Sequence, residues 1–324
     1  MIEIFKTNTD NKLESIAEEV YMQEGFNPSH CWINLINPSD KEVSFISKLS
    51  NVEEDSIKAA LDDEERSRIE VEDNYALVLV DIPVLEEEDN YYSYFTIPLG
   101  NIIKEDLFIT ICLRDTAVMR DFERNRIKGF STKFKSRFMF QILANTASKY
   151  LRYLKQIDKA SQRIQNEVKN DINNKDLQQI MDLENSLVYF SASLTGNDTV
   201  ITKIMSSKGQ LGTFLKPYVD DEELLEDVSI ETKQAIEMCS IYRSILVTLS
   251  ESYSSFLSNK LNRVMKVLTS ITLVISVPTL IASLWGMNTW VPGVNSPIGF
   301  GVIIAVSAII TGVTVWVLKK RNLL

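Results

Sequence analysis

The feature that most constrains this chain is a run of 52 residues, from Val267 to Leu318, without a single charged side chain. A membrane-spanning helix needs about 20 apolar residues, so one helix of that length would overshoot the hydrocarbon. The run breaks itself at Asn288–Pro297, where two prolines and a glycine punctuate a turn. What remains is Val267–Met287 and Ile298–Leu318, two segments rich in Val, Ile and Leu. Helices of soluble proteins keep a polar face, whereas the second segment offers only Ser307, Thr311 and Thr314. The sequence therefore predicts a transmembrane hairpin: helix 267–287, loop 288–297, helix 298–318.

Charge orients the hairpin. Lys260, Arg263 and Lys266 flank one end and Lys319, Lys320 and Arg321 the other, while the loop is uncharged. Basic flanks stay in the cytoplasm, so both termini are expected inside and the loop outside, in a multi-pass protein of the plasma (inner) membrane. Trp285, Trp290 and Trp316 suit interfacial aromatic belts. All 44 acidic residues lie in 1–251, with 28 of the 34 basic ones, a net of −16. An acidic region of this kind argues against a nucleic-acid partner. Cys31, Cys112 and Cys239 are odd in number and far apart, which suits a reducing cytoplasm rather than a disulfide framework. His30 beside Cys31 lacks the spacing of a metal site, and the N-terminus lacks the pattern of a signal peptide.

Residues 1–130 read as a cytoplasmic α/β domain. Strands are predicted at Ile2–Lys6, Cys31–Ile36, Ala76–Val84, Tyr92–Pro98 and Leu107–Leu113 from their β-branched and aromatic content. Helices are predicted near Lys41–Leu49, Glu53–Ala60 and Ala117–Lys128. No phosphate loop, nucleophile triad or metal signature is visible, so an enzyme is not expected. Residues 131–266 read as a long-helix stalk with a break near Asp171–Lys175. Pro217 stands where a helix-starting proline belongs. Between Val219 and Val277 no Gly or Pro occurs. Along it Leu225, Val228, Thr232, Ala235, Cys239, Tyr242, Leu246, Leu249, Tyr253 and Phe256 recur at spacings of three and four, a heptad seam. Packing within the chain and packing between subunits both satisfy that seam. The basic tail is 319–324.

The same period continues into the first membrane helix through Asn262, Met265, Thr269, Thr272, Ser276, Thr279, Ser283 and Gly286. Small or weakly polar residues on one membrane-helix face serve close helix packing or a wet path. The stripe runs from Asn262 to Gly286-Met287-Asn288, and that favours the path.

A C-terminal two-helix hairpin, Gly286-Met287-Asn288 ending its first helix, a preceding very long helix, the stretch Val264-Met265-Lys266-Val267-Leu268-Thr269 and a basic tail together resemble the CorA-type magnesium transporters. The resemblance extends over essentially the whole chain. It implies an α+β membrane protein: a homopentamer in the lipid bilayer, with the first membrane helix lining the pore and the second outside it. It implies a selectivity ring at Gly286, Met287 and Asn288, an apolar gate at Met265 and Leu268, and a polar ring at Asn262. Mg²⁺ dehydrates reluctantly, so a ring of Asn288 amides suits the hydrated ion; as a helix C-cap the same residue has a second role. Where the family often carries another pore methionine, this chain has Ser276 or Val277, and its external loop lacks the acids common in relatives. The resemblance further implies a cytoplasmic divalent sensor, matched best by Glu86, Glu87, Glu88, Asp89 and Glu251; the acidic run also suits a solvated hairpin turn. Mg²⁺ is then both cargo and regulator, with Co²⁺ or Ni²⁺ as further cargo. A zinc-transporting relative and a membrane-tethered scaffold are the competing readings. One histidine and scattered cysteines give no soft-ligand site for the first, and the Ser/Thr stripe argues against the second.

Overall fold

A computed structural model of the chain describes residues 1–9, 12–23, 25–88, 91–168, 174–206, 211–215, 219–287 and 297–321. They fall into two compact units, Met1–Ser250 and Glu251–Leu324.

The first unit is built on a seven-stranded sheet: β1 (Ile2–Thr7), β2 (Leu13–Ile16), β3 (Cys31–Ile36), β4 (Arg68–Val71), β5 (Ala76–Glu88), β6 (Tyr91–Ile103) and β7 (Phe108–Cys112), in the order β2-β1-β3-β7-β6-β5-β4. Among the described strands only β3 and β7 pair in parallel. They sit mid-sheet and are nearly all buried, as parallel strands covered on both faces must be. Period-two alternation sorts the side chains. Leu77 and Leu79 join one core with Ile33, Leu35, Val43 and Ile46, while Val78, Val80 and Ile82 join the other with Trp32, Phe122 and Phe138.

The short α1 (Glu18–Tyr21), α2 (Asp40–Ser50) and α3 (Glu54–Lys58), with a 3-10 turn at Ala59–Leu61, cover the first face. α2 starts on a capping box: the Ser39 Oγ accepts from the Glu42 N–H, and the Glu42 carboxylate accepts from the Ser39 N–H at 2.7 Å. α4 (Ala117–Glu123), α5 (Lys135–Val168) and α6 (Asn174–Ser206) cover the other face, and the short α7 (Leu211–Phe214) follows. α8 (Val219–Trp285) contributes residues 219–250 to this unit and 251–285 to the second.

β2 and β4 were not foreseen; each has four residues and few buried positions, so their apolar signal is weak. α4 stops at Glu123 instead of Lys128, because Asn125 turns the backbone left-handed (φ 52°). α6 runs through Gly196 to Ser206, and a Cβ at Gly196 would lie 3.0 Å from the Ser67 hydroxyl. That glycine allows close approach to the stretch before β4. In the heptad seam, Leu225 to Tyr253 are buried except Tyr242, which is half-buried, whereas Phe256 is 52% exposed. Within the first unit the seam meets α6, where the Cys239 thiol donates to the Leu187 carbonyl. The expected break at Asp171–Lys175 agrees with the gap between α5 and α6, although 169–173 lie outside the described residues.

The second unit holds the end of α8 and α9 (Pro297–Lys320). Each contains an 18-residue window of high mean hydropathy, 2.1 and 2.4, of which 6% is buried. A core hairpin of a soluble protein would be mostly covered, so exposed apolar surface of this extent marks a membrane span. α8 continues through Pro278. Proline inside a membrane helix removes one N–H and is tolerated where neighbouring groups satisfy the freed carbonyl.

Candidate functional site

The membrane part of α8 has two unlike faces. Ser270, Val274, Val277, Pro278, Ile281 and Trp285 are the buried or half-buried positions. Asn262, Met265, Thr269, Thr272, Ser276, Thr279, Ser283 and Gly286 are all exposed, Met265 to 58% and the neighbouring Leu268 to 56%. On a helix of 3.6 residues per turn the two sets lie about 180° apart. The stripe that sequence periodicity singled out is therefore the bare side of the helix in this chain.

In α9 the arrangement is reversed. Its half-buried or buried positions are Gly299, Ile303, Ser307, Thr311, Thr314 and Leu318, so its polar side chains occupy the covered face. The Thr311 hydroxyl donates to the Ser307 carbonyl at 2.7 Å and the Thr314 hydroxyl to Ile310 at 2.9 Å. Small and hydroxyl residues on a covered membrane-helix face are what close packing selects. Within one chain that explanation serves α9, whereas the stripe of α8 is not covered by its own chain.

On the bare face the hydroxyls are similarly oriented. Thr272 donates to the Leu268 carbonyl at 2.9 Å, Ser276 to Thr272 at 2.8 Å and Thr279 to Ile275 at 2.8 Å. Each donor is used by the preceding turn, and each oxygen keeps acceptor capacity directed away from the helix. A column of acceptors with committed donors favours cations and the hydrogens of their hydration water. The signal for it in the sequence is a Ser or Thr at every turn of an otherwise apolar helix; the direction of the hydroxyls required coordinates.

α8 ends at Trp285; Gly286 lies in a turn and Met287 in a bend, both exposed. The Gly286 N–H still donates to the Ala282 carbonyl at 3.0 Å, closing the last turn. Asn288, the expected selectivity residue, lies outside the described residues. At the far end of α9, Lys319 and Lys320 occupy the last turn, where cations complement the helix dipole. The Lys320 ammonium sits 5.2 Å from the centre of the exposed Trp316 ring, an interfacial pairing.

The acidic run sits at the tip of the β5–β6 hairpin. Glu86 pairs in register with Ser93, Glu87 with Tyr92 and Glu88 with Tyr91; Asp89 lies outside the described residues. Glu86 and Glu87 are exposed, and Glu86 forms an ion pair with Arg114 at 3.2 Å. Glu251, an exposed residue of α8, belongs to the other unit. Among the described residues no group of three or more His, Cys, Asp or Glu side chains is arranged to hold a metal ion.

Comparison with known proteins bears on this geometry. A family model described as "CorA-like Mg2+ transporter protein" matches residues 27–320. The cobalt/magnesium transport protein CorA of Methanocaldococcus jannaschii is 27% identical over 321 residues, covering 96% of this chain and 94% of the relative. The magnesium transport protein CorA of Campylobacter jejuni is 23% identical over 311 residues, covering 90% of each. Among solved structures, the complete CorA magnesium transporter of Methanocaldococcus jannaschii superimposes with a TM-score of 0.78 at 22% identity, covering 99% of this chain and 98% of that one.

Proposed function

The chain belongs to the family of CorA-like Mg²⁺ transporters and is a divalent-cation transporter, and from that premise we propose that it carries Mg²⁺ across the plasma membrane through a pore lined by α8. The observation that carries this reading is the uncovered column of hydroxyl acceptors, Thr272, Ser276 and Thr279, opposite the covered face of the same helix. An uncovered polar column in hydrocarbon is costly. Copies of the chain arranged around an axis remove that cost by enclosing the column with water. A homopentamer with both termini cytoplasmic is the assembly we infer, α8 inside and α9 toward lipid. A scaffold tethered by a hairpin would have no use for such a face.

In this reading Gly286, Met287 and Asn288 form the outer ring. The Asn288 amide oxygen accepts from water in the ion's first shell, which suits a cation that keeps its water. Met265 and Leu268 form the apolar constriction that closes by dewetting, with Asn262 below it. Co²⁺ is a second cargo, consistent with the names of the relatives, and Ni²⁺ a third. Gating follows from charge. Residues 1–251 carry a net −16, so five copies bring about eighty negative charges around one axis, and like charges repel. Internal Mg²⁺ bound near Glu86–Asp89 and Glu251 relieves that repulsion and favours the closed state, a population shift by a ligand that prefers one conformation.

The test is flux into liposomes containing purified protein, with Mg²⁺, Co²⁺ and Zn²⁺ in parallel and Asn288→Ala beside the wild type. Expected are uptake of Mg²⁺ and Co²⁺ and loss of Mg²⁺ preference in an assembled Asn288→Ala oligomer. Zn²⁺ uptake far above Mg²⁺ would move the protein to the zinc-transporting reading. Wild-type selectivity in Asn288→Ala would remove Asn288 from the filter.

A further inference from the structure

The first unit carries a strongly basic cleft within an otherwise acidic region. α4, the turn after it and one face of α5 enclose a cavity of about 260 Å³ lined by Arg120, Arg124, Arg126, Lys149 and Arg152, with Asp121 as its one carboxylate. Arg152 and Gln156 also line an adjoining cavity of about 410 Å³ whose further cations are Lys155 and Lys159, and no carboxylate lines it. Seven cations and one carboxylate thus line the two cavities, with Asp115 beside Arg120 just outside the lining, although residues 1–251 carry a net −16.

The internal ion pairs leave most of that charge unmatched. Asp121 is shared by Lys149 at 2.5 Å and Arg126 at 3.3 Å. Those cations hold its carboxyl below the usual range, against the opposing effect of burial. Arg124, Arg152, Lys155 and Lys159 form no ion pair among the described residues. Arg120 supplies an independent indication of a ligand. Its Nε is buried and has no hydrogen-bond partner, since Asp115 stands 3.5 Å away without donor alignment. A buried donor left without a hydrogen bond is unfavourable, and an anion in the cleft would accept from it.

We propose that this cleft binds a soluble oligophosphate, of the kind carried by a nucleoside triphosphate. Guanidinium forks match phosphate oxygens in pairs. Four arginines and a lysine around one cavity offer more donors than one small anion can use, and suit a chain of phosphates better. The adjoining cavity with Lys155 and Lys159 leaves room for the remainder of the chain or for a nucleoside. This site lies wholly within Met1–Ser250 and is independent of how the ion path is assigned.

Full-length protein in phosphatidylcholine nanodiscs, free of divalent cations, is titrated with inorganic tripolyphosphate and with ATP in a calorimeter. Saturable binding at one site per chain is expected. The double variant Arg124→Gln/Arg152→Gln, both exposed residues, is expected to raise the Kd at least tenfold with melting temperature and oligomer size unchanged. Lys41→Gln/Lys48→Gln, on α2 across the sheet, is expected to leave the Kd unaltered. Absence of saturable binding, or equal weakening by both variants, would overturn the proposal. Nanodiscs in which phosphatidylglycerol replaces a third of the phosphatidylcholine form a further arm. A raised Kd there would give the cleft to lipid headgroups and overturn the soluble-ligand assignment; an unchanged Kd supports it.

Discussion

Replacement of Asn197 by Ala should loosen the packing of α6 against the sheet more than any single hydrogen bond would suggest. β4 begins at Arg68, opposite Leu79, so Asp81, two residues further along β5, has no strand beside it on that side. Asn197 fills the place of the missing residue. Its Oδ1 accepts from the Asp81 N–H at 2.9 Å and from the Ser67 hydroxyl at 3.0 Å, and its Nδ2 donates to the Asp81 carbonyl at 2.7 Å. A side-chain amide has the same donor and acceptor as a peptide group, and Gly196 lets the helix approach closely enough for it to reach. Asn197 is 3% exposed, so water cannot readily replace it. Asn197→Ala removes three hydrogen bonds of about 1 kcal/mol each and leaves the Asp81 N–H without a partner, while the Asp81 carbonyl keeps the Tyr150 hydroxyl. A net loss of about 3 kcal/mol follows, or roughly 6–12 °C in melting temperature at the 2–4 °C per kcal/mol of a domain this size. Differential scanning fluorimetry of the full-length protein in detergent reads it directly. A fall below about 3 °C would refute the idea that Asn197 stands in for strand backbone.

Other expectations concern the candidate path, topology and pH. Replacing Thr272 and Thr279 with Val and Ser276 with Ala removes the acceptor column without added bulk; liposome uptake should fall at least tenfold with oligomer size unchanged, and full uptake would place the path elsewhere. A cysteine at position 296 (Ser296→Cys) should react with an impermeant thiol reagent applied outside intact cells, while the buried Cys239 should not; labelling only after lysis would reverse the orientation. Burial first, and then the neighbouring Glu3 and Asp115 carboxylates, push the Glu123 carboxyl up to about 7. The folded state therefore holds that proton more tightly than the unfolded chain does. Stability falls as pH rises from the ordinary carboxylate range through about 7. Glu123→Gln retains an acceptor for the Asn34 amide. Because Glu123 is only half-buried, a gain of about 1 kcal/mol is expected at pH 8 and none below pH 4.5. Thermal melts at the two pH values should show a rise of roughly 2–4 °C at the higher one only; an equal shift at both would remove protonation as the cause.

The membrane hairpin, the five longest strands and the long helices were determined by the sequence alone, because each depends on a local period or a local absence. A 52-residue uncharged run needs no distant partner to be read, and Cys31–Ile36 is recognisable from its own side chains. The two edge strands were not legible, since β2 and β4 are strands chiefly because β1 and β5 pair with them. The contact of Gly196 and Asn197 with the sheet was not legible, since it depends on Ser67 and Asp81, more than a hundred positions away. The seven cations of the basic cleft are spread over residues 120–159 and form no run that a scan would notice. The Ser/Thr stripe shows the division most clearly. Its period was plain in the sequence, but the same period serves packing or a wet path. Only the tertiary structure decides which side of α8 its own chain covers, because burial is a property of pairs of elements and periodicity belongs to one; the choice between packing and a wet path stays with the proposed assembly.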